Sequence, residues 1–255
     1  MSLSDSLCAA AQAIGRARRL AVLTGAGIST PSGIPDFRSA DGLYADARNE
    51  GVFDIAIFRE RPEHFYRFAR EFYPVLERAQ PNAAHQILAR WEREGRNVEV
   101  ATQNIDDLHQ RSGSRRVYPV HGTAEASHCT NCGAGRPTRT LWPEVAAGRV
   151  PRCSCGGVFK PDITFFGEML PEDAWTRSAR AMSEADVVLV IGTSLAVYPA
   201  ASLPDGRRRS AGLFIFNRDS TPLDDAATGV FRGDVVVQLQ RLADAIEAAH
   251  GVRSG

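Results

Sequence analysis

Nowhere along its 255 residues does the chain carry an apolar run approaching the roughly 18 to 20 residues that a membrane-spanning helix needs. The mildly apolar start, LCAAAQAIGRARRL, also lacks the basic residue that would open a secretory signal ahead of it. A cytoplasmic protein with no membrane among its partners is expected. Net charge is missing as well, because 30 Lys and Arg balance 30 Asp and Glu. Without a basic excess there is no electrostatic footprint for general nucleic-acid binding, and no direct sequence-specific nucleic acid is expected as a partner. The one local basic run, Arg207, Arg208 and Arg209, reads as a solvated loop. Internal repeats and low-complexity tracts are absent, which excludes solenoids and disordered tails as the organising feature.

What is present is apolar and patterned. About 44% of the residues are hydrophobic, enough to bury a core in one large domain with a smaller insert. Four short runs stand out: RLAVLT (19–24), NVEVATQN (97–104), DVVLVIGTS (186–194) and GLFIFN (212–217). Each is rich in branched or aromatic residues and closed by polar residues or glycine, as strands are. Between them lie AAHQILARWERE (83–94) and AWTRSARAMSEA (174–185), whose apolar residues recur at helical spacing. Strands alternating with helices predict an α/β fold, a Rossmann-like parallel sheet with helices on both faces. In such sheets ligands bind outside the carboxyl ends of the strands. The segment VFDIAIFRERPEHFYRFAREFYPVLER (52–78) reads as mainly helical and is expected to cap the sheet together with the cysteine-bearing segment.

Cysteine is scarce but grouped. Cys8 stands alone, whereas Cys129, Cys132, Cys153 and Cys155 form two close pairs, CTNC and CSC, in a stretch rich in Gly, Pro and Arg. Thiolates gathered by tight turns suit tetrahedral zinc, and four sulfur ligands close the shell, leaving the ion no open position for chemistry. One structural Zn2+ in a ribbon of short strands is the expectation, with a redox pair or incidental thiols as the alternative.

The stretch AVLTGAGISTPSGIPDFRS (21–39) begins as a strand feeding a glycine turn. Pro31, Gly33 and Pro35 then obstruct the helix that usually follows such a turn. Gly25 and Gly27 let backbone approach a phosphate closely, a weak signal alone because tight turns use glycine everywhere. After the second run, Gln103, Asn104 and Asp106 of TQNIDDLH add amide and carboxylate groups, any one of which could be only a helix N-cap. Gly192, Thr193 and Ser194 close the third run and Asn217 the fourth, both suited to ribose hydroxyls. A nucleotide spread over four strand ends accounts for all of them. His121 in YPVHG lies just ahead of the paired cysteines, where two domains should meet. An unperturbed imidazole, titrating near ~6.5, accepts a proton at neutral pH.

GAGIST, GIPDFRS, TQNIDDLH, HG, the paired cysteines, KPDITFFGEMLP, GTSLAVYPA and FNRD occur in the order and roughly the spacing of the sirtuins. From about Leu20 to Val236 the chain resembles that family of NAD-dependent protein-lysine deacylases, in particular its bacterial or archaeal members. The resemblance implies NAD+ as co-substrate, acetylated lysine in proteins as the partner, and nicotinamide, O-acetyl-ADP-ribose and free lysine as products. It implies that the non-helical segment after the glycine turn is a mobile loop that folds over NAD. By resemblance, Asn104, Ile105 and Asp106 line a nicotinamide pocket with Asp36, while Phe37 screens the reactive ribose face. Gly25, Ala26, Ser194 and Asn217 would contact the phosphates and the adenosine half. Gly27, Arg38, Gln103, Gly192, Thr193, Asp234 and Val235 complete the implied cofactor site. His121 and Asn104 are the implied catalytic residues, with His121 taking a proton from the ribose hydroxyls. Ile163, Phe165, Phe166, Gly167, Leu195 and Val197 are implied for the acyl-lysine tunnel and for the two edges between which substrate backbone adds as a strand.

The implied organisation is a NAD-binding Rossmann-like domain from residues 1–38, 82–124 and 160–255. A helical insert at 39–81 and a zinc-ribbon insert at 125–159 form the small domain. Two departures from the family pattern stand out: Thr164 takes a place usually apolar beside the tunnel, and the second cysteine pair is one residue short. Related enzymes that accept acidic acyl groups carry a Tyr-x-x-Arg pair. Here Tyr66 is followed three places later by Ala69, and Arg70 is one residue too far, so acetyl is expected over succinyl. The alternatives are a mono-ADP-ribosyltransferase or a longer-chain or succinyl deacylase on the same scaffold. A non-enzymatic NAD sensor or zinc-ribbon adaptor would have no need of His121.

Overall fold

The computed structural model describes residues 3–37 and 42–251. In chain order the elements are α1 (Leu3–Arg16), β1 (Arg19–Thr24), α2 (Ile55–Glu60), α3 (Pro62–Arg78), α4 (Ala83–Arg93), β2 (Asn97–Thr102), α5 (Leu108–Arg111), β3 (Val117–Pro119), β4 (Gly122–Cys129), β5 (Gly135–Pro137), α6 (Trp142–Ala146), β6 (Phe159–Ile163), α7 (Glu172–Glu184), β7 (Val187–Ile191), β8 (Gly212–Phe216), β9 (Gly229–Phe231) and α8 (Val235–Gly251).

Six strands form one sheet in the order β3-β2-β1-β7-β8-β9, every pair parallel. Successive side chains alternate between its faces. Leu20, Val22, Val98, Val100, Leu189 and Ile191 pack on one face against α1, α4 and α8. Ala21, Leu23, Val188, Val190, Leu213 and Ile215 pack on the other against α7 and the 3₁₀ segment Ala200–Gly206. Both faces are covered, which is why the strands read as unbroken apolar runs rather than alternating ones. The four runs seen in the sequence are the four inner strands. Their polar tails leave the ladder, β2 ending at Thr102 and β7 at Ile191. The three-residue edge strands β3 and β9 are too short to announce themselves in sequence. The segment that begins LCAAAQAIGR is α1, whose Ala10, Ala11 and Ile14 bury against the sheet. No helix among the described residues is long and apolar enough to cross a membrane.

A second core is aromatic. Phe53, Phe58, Phe65, Phe68 and Phe165 cluster beneath α2 and α3, with the Phe165 ring 5.5 Å from Phe53 and Phe58 and 5.2 Å from Phe65. Asp54 starts α2 by accepting the amides of Ala56 and Ile57, so 52–78 is helical as expected. The smaller sheet, β5-β4-β6, is antiparallel and runs from Gly122 to Ile163. It is more than a ribbon of short strands, because α6 intervenes between β5 and β6.

Beneath the large sheet's glycine turn, His85 of α4 and His109 of α5 are fully buried with ring centroids 4.8 Å apart. Nε2 of His109 lies 3.0 Å from Oγ1 of Thr24. Burial holds His85 down to about 4, and burial together with the neighbouring His85 holds His109 well below its ordinary value. The unfolded chain titrates these imidazoles near ~6.5, so it binds protons that the folded chain refuses. The folded state is therefore favoured fully above pH ~6.5 and loses ground as the pH falls toward about 4. Urea titration should show the unfolding free energy dropping by roughly 2 kcal/mol through His85 between pH ~7 and ~5, with His109 acting in the same direction. His85→Gln should flatten that slope, and an unchanged slope in the variant would contradict the assignment.

Candidate active site

β1 and β7 are neighbours in the sheet but not in the chain. The polypeptide builds β2 and β3 on one side of β1 and returns with β7 on the other, which opens a crevice at their carboxyl ends. Two turns meet there. The Gly25 amide donates to the Ile191 carbonyl at 3.1 Å, and the Gly27 amide to the Gly192 carbonyl at 2.8 Å. A Cβ on Gly27 would lie 2.8 Å from Cα of Gly192, and one on Gly192, where φ is +63°, would lie 2.4 Å from the Ile28 nitrogen. These glycines are required by turn-to-turn packing, over and above any approach to phosphate. No α-helix follows: Ala26–Ile28 and Thr30–Ser32 are single 3₁₀ turns.

A chain of polar contacts lines the crevice. Asn104, 6% exposed, donates from Nδ2 to Oγ of Ser29 at 3.1 Å, and Ser29 donates to Oδ2 of Asp106 at 2.9 Å. Burial pushes the Asp106 carboxyl up, against the opposing hydrogen bonds from Leu108 and Ser29. Gln103 donates from Nε2 to Oγ1 of Thr193 at 3.0 Å, tying the end of β2 to the end of β7. Ile105 packs in the aromatic core, and its carbonyl accepts the Ala124 amide at 3.1 Å. Ser29 was not singled out in the sequence. It sits inside GAGIST, but its partner Asn104 is 75 positions away.

The remaining positions divide by location. Asn217 is buried at the end of β8, its Nδ2 donating to the Asp219 carbonyl at 2.9 Å. Asp234 caps α8, accepting the Val236 and Val237 amides at 2.8 and 3.0 Å, and Val235 is that helix's first residue. Oδ2 of Asp36 is 4.0 Å from the Arg218 guanidinium, a contact that sequence reading missed. Phe37 stands edge-on to Phe53 at 5.8 Å. Ala26 is half-buried and Ser194 exposed. Arg38 lies outside the described residues.

His121 stands between β3 and β4, at the passage from the large sheet to the small one. Its Nδ1 is 3.0 Å from the Gln103 carbonyl oxygen, which can only accept. A proton on Nδ1 satisfies that oxygen, and in the neutral ring this tautomer leaves Nε2 as the acceptor. The His121 carbonyl in turn accepts the Thr164 amide at 2.8 Å, which places Thr164 directly beside it.

Ile163 ends β6 and, like Phe165, is buried in the aromatic core. Phe166 turns outward, 53% exposed, with its amide bonded to the Phe53 carbonyl at 2.7 Å and its carbonyl to the Ile55 amide at 3.1 Å. On the facing segment Leu195 is buried in the left-handed region at φ 54°, and Val197 is half-buried. The Tyr66 hydroxyl donates to the Phe159 carbonyl, and Arg70 is exposed beside Gly148, so neither is presented as an anion clamp.

The four paired cysteines converge. Their sulfurs all lie within 4.8 Å of one another, with Cys129 to Cys155 at 3.5 Å and Cys132 to Cys153 at 3.7 Å, and none forms a disulfide. A zinc tetrahedron with ~2.3 Å bonds has sulfur–sulfur edges of about 3.8 Å. Gly157 leaves the room required, since a Cβ there would sit 2.6 Å from Sγ of Cys129. The Gly157 amide draws the Cys155 thiol down to about 6, while, against the Ala134 amide, the neighbouring thiols push Cys132 up, so the crowded sulfurs share protons that a bound metal would displace. The donor set fits one zinc despite the shortened second pair. Purified protein should carry about one zinc per chain by elemental analysis. Stripping it with a chelator should lower Tm and activity together, and metal-free protein that stays folded and active would contradict the fit.

The Sir2 family pattern matches residues 25–199. The chain is 44% identical over 234 residues to an NAD-dependent protein deacetylase of Thermotoga maritima, covering 91% of this chain and 94% of that one. It is 42% identical over 245 residues to NAD-dependent protein deacetylase 1 of Pyrobaculum aerophilum, covering 94% and 95%. Its fold superposes on a Sir2 complex with a p53 peptide and NAD+ at a TM-score of 0.84 and 40% identity, over 99% of this chain and 100% of that one. A Sir2 variant holding deacetylated p53 peptide and 3'-O-acetyl ADP ribose gives a TM-score of 0.87 at 42% identity, over 96% and 98%. With a six-stranded parallel sheet, a four-cysteine cluster and these likenesses across nearly its whole length, the chain belongs to the Sir2 family.

Proposed function

We propose that the chain removes acetyl groups from protein lysines with NAD+ as co-substrate, giving nicotinamide, O-acetyl-ADP-ribose and free lysine. Formally this is a transferase reaction. The observation that carries the reading is that the His121 ring is anchored on the Gln103 carbonyl, one residue before Asn104, whose side chain opens the Asn104–Ser29–Asp106 hydrogen-bonded chain. A crevice with glycine turns would serve any dinucleotide enzyme. A base at its inner wall and no helix after the first turn suit an enzyme that breaks the cofactor apart.

NAD+ supplies the ribose carbon whose bond to nicotinamide is exchanged for one to the acetyl oxygen. Asn104, Ile105 and Asp106, with Asp36, would hold the nicotinamide half, and Phe37 would screen the ribose face. Gly25, Ala26, Gly27, Gly192, Thr193, Ser194 and Asn217 would hold the phosphates and adenosine, with Asp234, Val235, Gln103 and Arg38 around them. His121, its lone pair on Nε2 and its ring anchored on Gln103, takes a proton from a ribose hydroxyl. The zinc site takes no part, because four sulfurs leave no open position.

On the substrate side, the backbone of Phe166 and the Glu168 amide are already bonded within the protein, so strand addition falls to Gly167 and the Glu168 carbonyl, with the segment of Leu195 and Val197 as the second edge. Ile163 and Phe165 would line the tunnel. The two-part organisation, with the large sheet binding NAD+ and the insert segments forming the small domain, is part of the same reading. Unpaired cysteines and the lack of a described membrane-length helix support a cytoplasmic setting.

Mass spectrometry of the protein with NAD+ and an acetyl-lysine peptide should show O-acetyl-ADP-ribose and free lysine in equal amounts. Label transferred to protein without O-acetyl-ADP-ribose would instead mark a mono-ADP-ribosyltransferase. His121→Ala should lower kcat by at least about 10²-fold while NAD+ affinity changes only a few-fold. A variant turning over near the wild-type rate would overturn the role of the base.

Among acyl groups, acetyl should exceed succinyl in kcat/KM by more than about tenfold, because a carboxylate entering an apolar tunnel loses hydration while Tyr66 is bonded to the Phe159 carbonyl and Arg70 lies exposed beside Gly148. Matched peptides test this, and succinyl equal to acetyl would refute it.

A further inference from the structure

Among the chain's 30 Lys and Arg residues, a single one is lysine: Lys160, at the start of KPDITFFGEMLP. Its side chain is 12% exposed. Every proton of the ammonium has an acceptor. Nζ donates to the Ile163 carbonyl at 2.7 Å, to the Pro161 carbonyl at 3.2 Å and to Oε2 of Glu168 at 2.8 Å. It also stands 4.2 Å from the centroid of the Phe165 ring. Oε2 of Glu168 accepts the Phe165 amide as well, at 2.8 Å, and the Glu168 amide donates to the Phe165 carbonyl at 3.0 Å. Residues 160–168 are thus wrapped around one charge.

We propose that Lys160 is a positioning residue for the acyl-lysine site. The inference rests on the deacetylase reading above. Its ammonium fixes two things at once: the plane of Phe165, by a cation–π contact, and the turn that presents Gly167 and Glu168 to the substrate backbone, by gathering the carbonyl of Ile163 and the carboxylate of Glu168. Removing an ammonium from water is costly, and a partly buried ion pair stabilises a fold little better than apolar residues of the same volume. Three acceptors converging on one point from a single loop are better matched to holding geometry. Arginine cannot take the place, because its planar fork cannot address three acceptors around a point while stacking on a ring.

The test compares wild type with Lys160→Met, Lys160→Arg and Glu168→Gln. Three quantities are followed: binding of a fluorescein-labelled acetyl-lysine peptide, KM for peptide and NAD+ separately, and Tm. Lys160→Met should raise the peptide Kd and KM by about tenfold or more with KM for NAD+ within about twofold, and Lys160→Arg should fail to restore them. A residue that only stabilised the fold would lower Tm and the active fraction and leave the peptide KM where it was. A folded Lys160→Met with wild-type peptide KM, or rescue by Lys160→Arg, overturns the proposal. If Lys160→Met does not fold, Glu168→Gln decides: a peptide KM raised several-fold supports the clamp, and an unchanged one refutes it. Wild type that binds the peptide but gives no NAD-dependent product overturns the deacetylase reading alone, since peptide binding still reports on Lys160.

Discussion

The close approach of two glycine turns, Gly27 against Gly192, is the constraint on which the rest of the structure depends. It holds β1 and β7 in register at their carboxyl ends, and those strands are the point where the sheet's strand order reverses. Neither Gly27 nor Gly192 has room for a side chain. With the turns in contact, Thr193 is brought to Gln103, and β2 is drawn to the same crevice. The polar chain of Asn104, Ser29 and Asp106 then closes over a floor whose deepest layer is the buried pair His85 and His109, joined to it through Thr24 and Thr102.

A second constraint sets the other wall. The aromatic core that binds α2 and α3 includes Phe165, which belongs to the loop leaving the small sheet. Helical cap and small sheet therefore share one set of rings and cannot shift independently without breaking the core. His121 sits where this unit joins the large sheet, anchored to Gln103 on one side and to Thr164 on the other. A single residue thus ties both halves together, its ring to the strand end of the large sheet and its backbone carbonyl to the loop leaving the small one.

The cysteine cluster lies at the far end of the small sheet, with Cys129 closing β4. Its task is geometric: four sulfurs tie the segment after β4 to the segment before β6, across an intervening helix. Charge is used sparingly near the site. Lys160 is enclosed by its own loop, and Asp106 accepts from the Ser29 hydroxyl and the Leu108 amide.

By itself the sequence determined the inner strands, the helices between them and the two cysteine pairs, because these follow from local periodicity and spacing: RLAVLT and DVVLVIGTS are apolar throughout since both of their faces are covered. It also marked Gly25, Asn104 and Asn217, since glycine and polar residues at strand ends break an apolar pattern, and His121, since it lies just ahead of the paired cysteines. Only the tertiary structure decided what those residues touch. Ser29 gains its meaning when Asn104 and Asp106 arrive from the far side of β2, Gly27 when Gly192 packs against it, and Tyr66 when the Phe159 carbonyl takes its hydroxyl. The edge strands β3 and β9 exist because a longer neighbour offers them a ladder, not because three residues choose to be extended. Contacts between residues far apart in the chain leave no periodic trace in it, so they are settled when the sheet assembles and sets which strand ends meet.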